Sequence, residues 1–191
     1  MEAAHGATRP TEILKQEHRI IERVLTVLER EVKRLRRDKP VDLDVLRGAV
    51  EFCRGFADKC HHGKEEGLLF PAMIEHGIPE EEGPLSVMRE EHEKGRRFLA
   101  GLAEGIEIWQ RDPAQGKRLV LDNASGYTAL LRSHIDKEDN ILFVMAEAAI
   151  PPEKQRVLQE RFEQFEREEM GGGAHEKFHE MVEKLEARPT P

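Results

Sequence analysis

Apolar residues recur along this chain at alternating steps of four and three, and short stretches rich in proline and glycine cut the pattern into segments. Such steps mark one face of an α-helix packed at a shallow angle against its neighbours. The breaks are "DKPVD" at 38–42, "HGIPEEEGP" at 76–84, "RDPAQG" at 111–116, "IPP" at 150–152 and "GGG" at 171–173. They leave four long helices, expected over 11–37, 42–75, 84–110 and 113–149, and two shorter ones after residue 152. Asp42 suits an N-cap, Pro84 and Pro113 suit a first helical position, and Pro71 is expected to kink or end the regular part of the second helix.

The apolar seams carry intruders. The first helix reads Leu14, His18, Ile21, Leu25, Leu28, Val32 and Leu35; the third reads Leu85, Met88, His92, Gly95, Leu99, Leu102, Ile106 and Trp109. The fourth reads Val120, Ala124, Tyr127, Leu131, His134, Glu138, Ile141, Met145 and Ala148. In the second, Leu46, Val50, Cys53, Ala57, Cys60 and Leu68 form the stripe, with His61 on its flank and His62 nearly opposite on an ideal helix. If consecutive helices run antiparallel, residues equidistant from their turn share a level. The midpoint of His18 and His61 falls between Lys39 and Pro40, that of His61 and His92 between His76 and Gly77, and that of His92 and His134 at Pro113. All three lie in breaks. An all-α, up-down-up-down four-helix bundle over 11–149, with a helical extension over 152–187, would therefore hold four histidines in one layer of its core.

A single core histidine needs only hydrogen-bonded ring nitrogens, but four at one level, with carboxylates, call for a cation to accept the lone pairs and offset the charge. Glu65 follows His61 by four residues and Glu138 follows His134 by four, so each pair projects from one helix face. Imidazole with carboxylate oxygen suits iron, manganese or zinc, and two bridging carboxylates favour a dinuclear centre; iron ranks first.

The ordered set, together with "CHHGKEEGLLFP" at 60–71, resembles the hemerythrin-like, or HHE cation-binding, family over 11–149. That resemblance implies a four-helix bundle around an oxo- or hydroxo-bridged pair of non-haem iron ions. His18, His61, His92 and His134 would be terminal ligands, and Glu65 and Glu138 would bridge. It implies dioxygen, nitric oxide or peroxide as the small ligand, and binding or sensing of these or of redox state as the role. A diiron peroxidase or catalase, an iron-handling protein of the same fold, and a metal-free bundle are the alternatives. Oxygen carriers of the family place two histidines four apart on the third helix, whereas Met88 and Arg96 flank His92 at that spacing. His62 fills the vacated position if the chain loosens beside Gly63; Tyr127 and water are the other options. Asp139 offers a different spacing from His134, but Glu138 lies on the seam.

The remaining features change the picture less. Thirty basic against thirty-eight acidic residues give a net charge of −8 without a basic stripe, which argues against nucleic acid. No apolar run reaches membrane-spanning length and the N-terminal stretch lacks a leader pattern, so a cytoplasmic protein without a membrane partner is expected. Cys53 and Cys60, two helical turns or about 10.5 Å apart, are expected as reduced core thiols. "HEKFH" at 175–179 fits the zinc-protease spacing but lacks a third ligand nearby; a polar helix packing Phe178, Met181, Val182 and Leu185 on the bundle or on a second copy of the chain, as a homodimer, is the preferred reading.

Overall fold

The computed structural model describes residues 9–188. Among them the chain is helical throughout, without a strand. Helix α1 spans Pro10–Arg36 and α2 Leu43–Phe52. From there the chain continues, still helical, through two π-helical stretches, Cys53–His62 and Glu65–Leu69, into α3, Phe70–Glu75. Helix α4 covers Pro84–Trp109 and α5 Pro113–Lys137, and a third π-helical stretch, Glu138–Leu142, leads into α6, Phe143–Ala149. Helix α7, Pro152–Phe165, then a π-helical turn Glu166–Met170, and α8, Ala174–Ala187, complete the described part.

The helix starts follow from local chemistry. Asp42 caps α2 by accepting from the Asp44 amide at 2.8 Å, and Asp112 caps α5 through the Gln115 amide at 3.0 Å. Pro10, Pro84, Pro113 and Pro152 occupy first helical positions, where the missing N–H has no partner to lose. Pro71 sits where the wide turns return to α-helix and the helix carries on to Glu75, so it marks the end of the irregular stretch. Gly77, at φ +91°, supplies the left-handed residue that stops α3.

Helices α4 and α5 pack closely along their lengths. Glycines permit it: a Cβ on Gly105 would lie 2.9 Å from the Val120 amide nitrogen, and one on Gly116 would lie 2.5 Å from the Trp109 Cα. The buried apolar residues fall into two clusters. One contains Ile21 to Leu35, Val45 to Ala57, Leu99 to Ile106 and Val120 to Ile135; the other contains Leu14, Leu69, Phe70, Met73, Leu85, Met88, Leu142 and Phe143. In every long helix the histidines named above lie between the two clusters.

The C-terminal helices close both halves from outside. Leu158 and Phe162 of α7 join the smaller cluster, while Phe178, Val182 and Leu185 of α8 join the larger. Gly48, Gly55 and Gly63 line the surface they cover. A Cβ at these positions would approach Leu185, Phe178 and Phe165 to 2.9, 2.7 and 2.8 Å.

Three seam assignments need correction. Leu68 and Ile141 were expected inside; Leu69 and Leu142 are buried instead, and Ile141 is 55% exposed. Ala148 of the same expected seam is exposed, with Ala146 buried in its stead. In both helices the slip begins inside a five-residue π-helical stretch, whose extra residue rotates everything beyond it by about 100°. No helix among the described residues is long and apolar enough to cross a membrane.

Candidate metal centre

His18 lies on α1, His92 on α4 and His134 on α5; His61 and His62 end the first π-helical stretch, and Glu65 and Glu138 each open a later one. All seven side chains are buried. They form two groups whose donor atoms lie within 4.8 Å of one another: His18, His61, Glu65 and Glu138, and His62, Glu65, His92 and His134. Glu65 belongs to both. Its Oε1 is 3.5 Å from His61 Nε2 and its Oε2 is 3.5 Å from His92 Nε2. Glu138 likewise spans the groups, with Oε2 at 3.2 Å from His18 Nε2 and Oε1 at 3.2 Å from His134 Nε2.

The π-helical stretch explains His62. On an ideal helix it would point away from the seam that carries His61. Widening the turns over Cys53–His62 brings both consecutive histidines inside, and His62 stacks on His92 with ring centroids 3.8 Å apart. Tyr127, the other protein side chain offered for that position, lies in the larger apolar cluster with its hydroxyl against the Cys53 thiol.

Behind each ring stands a carboxylate. His18 donates from Nδ1 to Asp139 at 2.7 Å, His61 to Glu17 at 2.8 Å, His92 to Glu66 at 2.6 Å and His134 to Glu91 at 2.8 Å; His62 faces Asp58 at 3.4 Å. These bonds set a carboxylate on Nδ1 of His18, His61, His92 and His134 and turn Nε2 of each ring inward, where those of His92 and His134 lie 3.1 Å apart. Cations back the carboxylates in turn. Arg96 holds Asp58 at 2.8 Å and Glu66 at 2.9 Å, while Arg19 pairs with Asp139, Lys64 with Glu17 and Lys137 with Glu91. Arg96, four residues after His92, thus orients two of the rings through their carboxylates.

The electrostatics reflect burial. It pushes His62 down to about 3, with the His92 charge adding to the effect, and holds His61 well below the ordinary imidazole range. It lifts the Glu65 carboxyl well above the usual range, reinforced by the charge of Glu138. Burial opposes ionisation of Glu138 too, yet His134 and His18 outweigh it and hold that carboxyl well below the ordinary range. His134, although buried, is raised to about 9 by Glu138 and Glu91.

The fit to a metal pair rests on orphaned atoms. His18 Nε2, His61 Nε2, both oxygens of Glu65 and both of Glu138 are buried without a hydrogen-bond partner. Buried polar atoms seldom go unpaired, and six of them converging on one space leave the lone pairs that two cations would accept. Nitrogen and oxygen donors in this ratio suit iron, with manganese and zinc compatible.

The seam count named His18, His92, His134 and Glu138, whereas of the five outer carboxylates only Asp139 stood out in the sequence, there as a rival to Glu138. Each lies next to, or a turn from, an inner residue: Glu17 precedes His18, Asp139 follows Glu138, Glu66 follows Glu65 and Glu91 precedes His92. That adjacency was the available signal. His175 and His179 do not act together; His179 is exposed and enters no donor group among the described residues.

The chain is 25% identical over 186 residues to proteins described as uncharacterized from Mycobacterium bovis and Mycobacterium tuberculosis, covering 93% of this chain and 68% of theirs. No solved structure matches it. Residues 9–146, which contain every inner donor and every outer carboxylate, match the family described as the hemerythrin HHE cation binding domain, and the chain belongs to that family.

Proposed function

We propose that the chain is a non-haem diiron protein that binds or senses dioxygen, nitric oxide or redox state, in an up-down-up-down four-helix bundle. The observation that carries this reading is the sharing of Glu65 by two four-donor groups, with Glu138 spanning the same gap. In it, His18, His61, Glu65 and Glu138 hold one ion and His62, Glu65, His92 and His134 the other. His62 supplies what the third long helix lacks. When bound, the iron pair supplies reducing electrons and an open position for a small ligand.

The protein's own residues set the conditions. Outer carboxylates lock the rings and raise their basicity. Phe143, stacked 5.5 Å from His18, and Phe70, 6.0 Å from His92, wall the layer off from water on the side of the smaller apolar cluster. Two free buried cysteines and the lack of a spanning helix among the described residues are compatible with the proposed cytoplasmic location. Pairing of two chains through the C-terminal helices would have to use their outward faces, where Val157 is exposed, because Phe178, Val182 and Leu185 are engaged within the chain.

Elemental analysis and absorption spectra after anaerobic ferrous reconstitution test the reading. About two irons per chain are expected, and a stable spectral change on oxygenation that reverses under vacuum marks binding. Sustained peroxide consumption would move the assignment to a diiron enzyme. Less than one metal per two chains would defeat it.

A further inference from the structure

Among the described residues a third group of donors lies outside the His and Glu layer, at the seam between the bundle and the C-terminal helices. It comprises Glu17 of α1, Cys60 of the first π-helical stretch, Glu166 from the turn after α7, and His175 at the start of α8. One atom from each lies within 4.8 Å of all the others. Glu166 and His175 fall beyond residues 9–146, so the family match does not cover them.

We propose that Glu17, Cys60, Glu166 and His175 form a mononuclear site for a thiophilic divalent cation of the zinc class. A tetrahedral ion with bonds of about 2.0–2.3 Å separates its donors by about 3.3–3.8 Å. His175 Nε2 stands 3.2 Å from Glu166 Oε2 and 3.7 Å from Glu17 Oε1, so only small contraction is required. The His175 ring also faces the Cys60 thiol, so imidazole, thiol and both carboxylates turn toward one space. Cys60 and Glu17 are 1% and 2% exposed, hence dry enough to make coordination strong.

Lys64 already pairs with Glu17 and, at 2.5 Å, with Glu166 Oε1. Its presence is compatible with the site. Glu166 offers its other oxygen, Glu17 would share Oε1 with the ammonium, and an ionised carboxylate has about four lone-pair positions, so ammonium and cation can share the two acids. Thiolate with imidazole and carboxylate selects zinc-class ions over magnesium or calcium. Glu166 and His175 also line a cavity of about 350 Å³ with Gly171, Gly172 and Gly173, which gives an ion a way in. The site would pin the C-terminal extension to the bundle. Through Glu17, whose other oxygen holds His61, it would also touch the support of the inner layer.

Cobalt(II) titration of the metal-stripped full chain tests the site. The inner layer contains no sulfur, so an intense near-ultraviolet thiolate-to-cobalt band reports this group alone and stays separable from the iron content of the layer. The band is expected to saturate at one cobalt per chain, to disappear on adding zinc, to be absent in Cys60→Ser and to persist in Cys53→Ser. His175→Gln and Glu166→Gln, at half-buried positions, should each weaken the band-forming affinity at least about 10-fold. Cobalt uptake without the band, a band that survives Cys60→Ser, or unchanged affinity in both half-buried variants with native circular dichroism would overturn the proposal.

Discussion

The Oε2 of Glu138 lies 3.2 Å from the Nε2 of His18, across the middle of the core. Both atoms are buried, and neither has a hydrogen-bond partner. The other oxygen of the same carboxylate faces His134, so one side chain ties α1 to the chain leaving α5.

Replacing Glu138 should therefore remove one bridge between the two donor groups. Glu138→Ala is expected to lower iron from about two per chain to one or fewer, with most of the far-ultraviolet helix signal retained because both apolar clusters are untouched. Wild-type iron stoichiometry in this variant would take Glu138 out of the ligand set.

Asp139 lies next in sequence but serves differently, accepting from the far nitrogen of the same His18 ring. Asp139→Ala frees that ring to rotate. Metal affinity should fall about 10–100-fold without a change in stoichiometry. Asp136→Ala, three residues earlier and exposed, is the control. Equal affinities for the two variants, measured by competition with a chelator, would refute the orienting role.

Gly116 meets unyielding backbone, with the Trp109 Cα at 2.5 Å and the Gly105 carbonyl at 2.9 Å from a would-be Cβ. Gly116→Ala should destabilise the protein by about 1–3 kcal/mol, since neither neighbour can rotate aside. Gly67→Ala meets nothing within 4 Å and should be neutral or stabilising by up to about 1 kcal/mol. Denaturant unfolding of both variants measures the contrast.

The Cys53 thiol is pushed up to about 12 by burial, against a hydrogen bond with Tyr127 that favours the thiolate. At pH 8 only about one folded chain in ten thousand carries it as thiolate, so alkylation should proceed through unfolding and accelerate with denaturant. The folded value lies above the unfolded one, near 8.5. This group's contribution to stability is then fully present below about pH 8.5 and is lost as pH rises towards 12. Fast modification of Cys53 under native conditions would contradict the burial.

Several of these relationships could be read before any coordinates. The steps of three and four named His18, His92, His134 and Glu138 because a long helix keeps strict time: a residue's level follows from its distance to the turn. What periodicity cannot show is a change of period. Leu68 and Ile141 were misplaced because the count assumed one angular step throughout, while Glu65 and Glu138 each open a stretch of wider turns. The same departure turns His62 inward, and only Gly63 beside it hinted at it. Most of the outer carboxylates were hidden for another reason. Glu17, Glu66 and Glu91 look like solvated neighbours of the seam, and their inward bonds depend on which helix lies across from them. Lys64 is the extreme case, a lysine with no exposed surface between Glu17 and Glu166, the latter more than a hundred residues away in sequence.

Because His18, His61, Glu65, His92 and Glu138 each expose 1% of their surface or less, nothing outside can touch the chamber they enclose. On the proposed reading, a small ligand would enter that chamber only where the helices part to admit it. An electron exchanged with iron held there would have to tunnel through packed side chains, so the depth of burial would set its pace.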